Sequence, residues 1–267
     1  MRDLMKGIAA ACAVAGVVCA ALPATAADEV RTIASRPGVT ERVLFIRPGG
    51  PPAASVILFV GGPGKAGLKM PWPAGHRGGN FLFHNADRFV ADGLLVAVVD
   101  APSDHEDGLW DWRTSADHAA DIAAVIAALR AEAKVPVWLI GTSMGTLSAA
   151  NGAARLKSGG PDGVVLTSSV TQKSRQSEET VGTVRLEDIA VPVLIVHHEH
   201  DGCRASPYAG AEALMDRLRN SPKHEFMAFD GGATPKSGPC DPQAPHGYWG
   251  IGYKVVDAIA GWIKTAR

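Results

Sequence analysis

Val135-Pro136-Val137-Trp138-Leu139-Ile140 runs directly into Gly141-Thr142-Ser143-Met144-Gly145 and then into Thr146-Leu147-Ser148-Ala149-Ala150. The first piece is an apolar run of the length of a buried strand. The last is small and compatible with a helix. Between them stands Gly-x-Ser-x-Gly. A tight turn from strand to helix needs small residues on both sides of the serine, because the backbone is strained and closely packed there. Such a turn lifts the serine Oγ clear of the sheet. It also aims the free N–H groups and partial positive charge of the helix N-terminus at the same place. The five-residue pattern alone is weak; the strand before it and the helix after it give it weight.

The same alternation extends outward in both directions. Ser55–Val60, Leu94–Val99, Gly163–Thr167 and Val191–Val196 are further apolar runs, and Val43–Ile46 and Glu225–Phe229 also have strand character. Runs of Val, Ile and Leu without polar alternation suit a parallel sheet covered on both faces. Helical patterns fall between them. Thr114-Ser115-Ala116-Asp117 has the form of a capping box ahead of Ala119, Ile122, Ile126 and Leu129. Tyr208–Leu218 and Tyr253–Ile263 read as amphipathic helices. Strand–helix alternation throughout means an α/β fold, and no linker-like stretch divides it. The Pro/Gly-rich piece from Gly231 to Gly247 is the longest irregular segment.

Strand, serine turn and alternation together resemble the α/β-hydrolase superfamily, over nearly the whole chain from Val43 to the last helix. The resemblance implies a mostly parallel sheet of the eight-stranded type with helices on both faces. It also implies an acid and a histidine that follow the serine in that order. Asp201, in His197-His198-Glu199-His200-Asp201-Gly202 just past a strand, stands where the acid belongs, with Glu199 as the second candidate. His246, ahead of the final helix, stands where the base belongs. An imidazole titrating near pH 6.5 can take the serine proton and return it to a leaving group. The resemblance also implies an oxyanion hole made of the amides of Gly62 and Met144. Gly62 lies in Val60-Gly61-Gly62-Pro63-Gly64, which is similar to the His-Gly-Gly-Pro-Gly loop of proline iminopeptidases but carries Val60 in place of the histidine. Pro63 has no N–H to offer. About 21 polar residues separate Ser169 from Val191, too few for the cap that many relatives insert there, so no large cap domain is expected. Trp72, Trp110, Trp112 and Trp249 are candidate walls of an open pocket.

The N-terminus bounds the compartment. Arg2 and Lys6 precede an apolar run from Gly7 to Leu22, which closes on Ala24-Thr25-Ala26. This is the form of a secretory signal peptide, expected to span 1–26 and to leave a domain over 27–267 with no membrane anchor. Export to a periplasm or beyond exposes the two remaining cysteines, Cys203 and Cys240, to an oxidising compartment where they are expected to pair. With the acid at Asp201 and the base at His246, that bridge would tie the two loops together.

The 267 residues carry 26 Lys plus Arg against 27 Asp plus Glu, a net charge of −1. No basic excess is present to neutralise phosphates, so nucleic acid is not the expected partner. No cofactor or metal is expected, although His198 and His200 would share a face if the strand continued through them. The expected function is that of an exported serine hydrolase cleaving a small carboxylic ester through Ser143, His246 and Asp201. An amidase or peptidase using the same residues, and a binding protein that keeps the fold without turnover, are the alternatives.

Overall fold

The computed structural model describes residues 28–68 and 79–266. The leader expected over 1–26 and Trp72 lie outside the described residues. Eight strands form one sheet: β1 (Glu29–Arg36), β2 (Val39–Ile46), β3 (Ala54–Phe59), β4 (Leu94–Val99), β5 (Val137–Thr142), β6 (Gly163–Thr167), β7 (Val193–His198) and β8 (His224–Phe229). Their order is β1-β2-β4-β3-β5-β6-β7-β8. β1 and β2 pair antiparallel with each other, as do β2 and β4, and all the others pair in parallel. The helices are α1 (Phe81–His84), α2 (Ala86–Ala91), α3 (Ala116–Glu132), α4 (Gly145–Arg155), α5 (Tyr208–Glu212) and α6 (Gly252–Thr265).

Strand parity divides the core in two. Ile57 and Phe59 of β3 join Ile122, Val125 and Leu129 of α3 and Leu147 of α4 on one face. Val56 and Leu58 point the other way, toward Phe89 of α2 and Val256, Ile259 and Ile263 of α6. Successive strand side chains face opposite sides, so a strand covered on both faces has to be apolar at every position. All six residues of β3, β4 and β5 are buried. Each large aliphatic side chain so buried contributes about 1.5–3 kcal/mol.

Several elements depart from the sequence expectations. β5 and β7 begin two residues later than their apolar runs, because Pro136 and Pro192 offer carbonyls at the sheet's edge but have no N–H for the ladder. β1 has no apolar run to announce it. It is an edge strand, and Arg31 on it pairs with Glu29 and with Glu132 of α3 at 2.8 Å each. α3 is capped by Ser115, whose Oγ accepts the His118 amide at 3.0 Å. The expected capping box does not form, since the amide and hydroxyl of Thr114 both go to Glu179. The helix expected over Tyr208–Leu218 is α5 followed by a 3₁₀ stretch, Ala213–Arg217. Between β6 and β7 lie only two 3₁₀ turns, Val181–Thr183 and Leu186–Asp188, and no large cap domain. No described helix is long and apolar enough to cross a membrane.

Candidate active site

The parallel strands end in register. Thr142 pairs with Thr167, and Thr167 with Val196. The loops that follow β3, β5, β6, β7 and β8 therefore gather along the carboxyl edge of the sheet, where ligands bind in open α/β sheets.

Ser143 is the first residue beyond β5 and has φ +52°, a left-handed conformation that a residue with a Cβ seldom adopts. Its amide donates to the Thr167 carbonyl at 3.0 Å. The glycines on either side are required by close approach. A Cβ at Gly141 would run into the Gly145 carbonyl, and one at Gly145 into the Phe59 carbonyl. The strained turn is thus held by backbone packed against backbone.

Beyond β3 the chain turns sharply, with Gly62 at φ +55° and the Gly64 amide donating to the Gly61 carbonyl at 3.2 Å. Arg113, 1% exposed, holds this turn. Its Nη2 donates to the carbonyls of Val60 at 3.2 Å and Gly62 at 3.0 Å, and its Nη1 to Ser148 Oγ on α4 at 2.7 Å. Among the described residues no carboxylate lies within ion-pair distance of this guanidinium, and burial pushes its pKa down to about 10. One cation therefore spans from the glycine turn to the helix behind Ser143 and turns two carbonyls of the loop toward itself. The amides of Gly61, Gly62 and Met144 donate to nothing among the described residues.

β7 ends at His198, and Asp201 follows. Its Oδ1 accepts the Cys203 amide at 2.9 Å, and its Oδ2 accepts Nδ1–H of His246 at 2.8 Å. His197 Nε2 lies 3.4 Å from the same oxygen and 3.0 Å from the Ser206 carbonyl. Burial alone would raise the Asp201 pKa. The hydrogen bonds from His197 and His246 outweigh it and hold the carboxyl below its ordinary value. His246 sits in a 3₁₀ turn, Pro245–Gly247, and is buried. Ser168 Oγ donates to its carbonyl at 2.8 Å, and the Tyr248 hydroxyl donates to Val196 at 2.9 Å. Cys203 and Cys240 form a disulfide across 37 residues, joining the loop of Asp201 to the loop of His246.

With Nδ1 committed to Asp201, the other ring nitrogen of His246 is left over. Nε2 is buried and makes no hydrogen bond. The backbones of Ser143 and His246 are both tied to the end of β6, the Ser143 amide donating to the Thr167 carbonyl and Ser168 Oγ to the His246 carbonyl. No direct hydrogen bond joins Ser143 Oγ to Nε2. Contacts of this kind are commonly long before substrate arrives.

His198 and His200 do not form a metal pair. The ring nitrogens of His198 are taken by the Gly231 carbonyl at 2.9 Å and the His200 amide at 3.0 Å. Glu199, His200 and Asp230 cluster on the surface, all three exposed. Glu41, His118 and Asp121 cluster in the interior, where Arg36 engages both oxygens of Asp121. Burial and the nearby Asp121 push the Glu41 carboxyl up to about 8.

The tryptophans divide. Trp112, half-buried, stacks on His105 at 3.8 Å and packs toward His118, so its ring is engaged by neighbouring side chains. Trp110 is 36% exposed. Trp249, with Phe81, Tyr248 and Tyr253, lines a cavity of about 940 Å³ between α1 and the His246 loop. That cavity borders the His246 loop through Gly247 and Tyr248, and Ser143 is not part of its wall. Arg113, His197 and Ser168 had no signal in the sequence beyond their proximity to the motifs.

No protein-family model and no curated protein sequence matches the chain. Solved structures do. A dienelactone hydrolase from Anabaena variabilis superposes with a TM-score of 0.61 at 13% identity, over 91% of this chain and 99% of that one. An esterase from Pyrococcus furiosus gives 0.65 at 14%, over 91% and 93%. An α/β serine hydrolase homologue from Coxiella burnetii gives 0.61 at 18%, over 87% and 96%.

Proposed function

The chain has the α/β-hydrolase fold, and on it we propose an exported serine hydrolase that cleaves a small carboxylic ester. Ser143 Oγ attacks the acyl carbonyl while His246 Nε2 takes its proton. Asp201 fixes the tautomer through Nδ1–H and stabilises the imidazolium. The amides of Gly62 and Met144 receive the oxyanion, each contributing about 3–4 kcal/mol in the transition state. Collapse expels the alcohol with the proton from His246 and leaves an acyl-enzyme. Water then attacks with His246 as base, and the acid and free Ser143 are released.

The observation that carries this reading is the state of His246. Its Nδ1 is fixed on a buried carboxylate and its Nε2 is buried without a partner, while Ser143, held at positive φ, and the His246 backbone are both bonded to the end of β6. His198, by contrast, is bound by the backbone, through the Gly231 carbonyl and the His200 amide. Ester rather than amide chemistry is favoured by the short, capless segment between β6 and β7 and by Val60 in the place of the peptidase histidine. The solved neighbours include an esterase and a dienelactone hydrolase, and also an acylaminoacyl peptidase, so their names support a hydrolase and leave the choice of bond to the residues. Export, to a periplasm or beyond, is supported by the leader-like N-terminus and by the disulfide. The substrate is a small acyl compound, with no cofactor required.

Intact mass after incubation with a fluorophosphonate tests the reading. One adduct on the oxidised wild type and none on Ser143→Ala is the expected result. No adduct on folded wild type would overturn it and favour a binding protein with an idle site. Matched ester and amide substrates then separate esterase from amidase by rate.

A further inference from the structure

Asn80 stands at the start of α1, and its side chain is fixed at one end. Oδ1 accepts the Leu82 amide at 3.1 Å, and the helix it caps is anchored by buried Phe81, Leu82 and Phe83. Because a backbone N–H can only donate, the end facing Leu82 is the oxygen, and the end facing away is the NH₂ group. That nitrogen is aimed at the serine turn. A single point, the place where a side chain on Gly61 would begin, lies 3.5 Å from Asn80 Nδ2 and 3.0 Å from Ser143 Cβ. The Thr142 carbonyl oxygen lies 3.2 Å from the same point, so Gly61 stands against the serine turn and the carboxamide together. Asn80 Nδ2 makes no hydrogen bond to any described residue, and neither does the amide of Gly61 or Gly62 beside it.

We propose that the carboxamide of Asn80 is a further, side-chain donor to the oxyanion. The inference rests on the serine-hydrolase reading and adds a donor that the backbone does not supply. When Ser143 Oγ adds to the carbonyl, negative charge gathers on an oxygen a short distance from Ser143 Cβ, within the region bounded by the Gly61–Gly62 turn and Asn80 Nδ2. Pro63 cannot contribute an N–H to this turn. A donor locked by its own cap need not reorganise as the charge develops, which is what makes such a group effective. Its role is to stabilise charge. It neither moves a proton nor forms a bond.

The test uses two variants that keep the cap. Asn80→Asp retains an oxygen for the Leu82 amide and replaces the donor with an acceptor. Asn80→Ser retains a capping hydroxyl and is too short to reach the site. The expected result for both is a fall in kcat of about 10²–10³-fold with KM within a few fold, the size found for loss of one oxyanion donor. Inhibition by a boronic acid, which forms a tetrahedral adduct on serine, should weaken in parallel. Circular dichroism and the melting temperature report whether each variant folds, and one folded variant suffices. A folded variant that keeps kcat within threefold of wild type overturns the proposal. So does a rise in KM at constant kcat, which would make Asn80 a substrate contact of the ground state. Failure of the serine-hydrolase reading looks different, since wild type itself would then take no fluorophosphonate and turn over no ester.

Discussion

Arg113→Met removes the one cation that holds the glycine turn to the helix behind Ser143. Three hydrogen bonds are lost, to Val60, Gly62 and Ser148. At roughly 1.5–2 kcal/mol for each bond from a charged donor, the gross loss is about 5 kcal/mol. Against this stands the penalty of keeping the guanidinium charged without a carboxylate. Its pKa is pushed from 12.5 to about 10. At 1.36 kcal/mol per pH unit the penalty is about 3 kcal/mol, and methionine removes it while filling much of the same space. The net destabilisation is therefore about 2 kcal/mol, or a fall in melting temperature of about 4–8 °C for a domain of this size. The effect on rate should be larger than the effect on folding. Released from Arg113, the Val60 carbonyl is free to turn the peptide plane it shares with the Gly61 amide, and the Gly62 carbonyl no longer fixes the residue whose amide precedes Pro63. A donor misplaced by an ångström loses most of its value at the transition state, and kcat should fall about 10²-fold. Urea melts and turnover of a small nitrophenyl ester, on wild type, Arg113→Met and Arg113→Lys, read both quantities. A methionine variant as stable as wild type that also keeps kcat within twofold would refute the reasoning. The lysine variant should fall between, because one ammonium cannot span three acceptors in the geometry of a guanidinium.

The disulfide and one buried carboxyl give two further expectations. Replacing Cys203 and Cys240 together by serine, or reducing the wild type, should lower stability by up to about 4 kcal/mol for a closed loop of 37 residues. It should also lower kcat by loosening the Asp201 loop against the His246 loop, and an unchanged melt would show that the loops are held by packing alone. Glu41 makes stability depend on pH. Its folded pKa of about 8 lies above the ordinary carboxyl value of 4.5, so the folded state binds a proton that the unfolded state has released. That contribution is fully present below about pH 4.5 and is lost as pH rises through 8, amounting to roughly 5 kcal/mol at most. Glu41→Gln, neutral at every pH, should flatten the dependence in melts at pH 5, 7 and 8.5. A wild type with no decline over that range would mean Glu41 is ionised in the fold.

The sheet and the serine turn were legible because they are local and periodic. β3, β4 and β6 can be read from their apolar runs to within a residue, since a strand buried on both faces excludes polar side chains along its whole length. Gly141 and Gly145 mark the turn because no other residue fits where the carbonyls of Gly145 and Phe59 approach. The positions of Asp201, His246, Gly62 and the cysteine pair came from resemblance and compartment, and the structure brings Asp201 against His246 and joins the cysteines. The pattern of β1 was too polar to read. Its partners are β2, close in sequence, and Glu132, about a hundred residues away.

The sequence by itself determined which stretches had to be buried and where the chain had to turn, since these follow from side-chain polarity and from the backbone freedom of single residues. Only the tertiary structure decided how buried polar groups are satisfied. Arg113 finds carbonyls 51 and 53 residues before it, and His197 is set against Asp201 by a loop that also carries Ser206. Asn80 lies beside Ser143 although 63 positions separate them. Desolvation makes a buried donor or charge costly to leave without a partner. Which partner it finds depends on distances in space that no local pattern encodes.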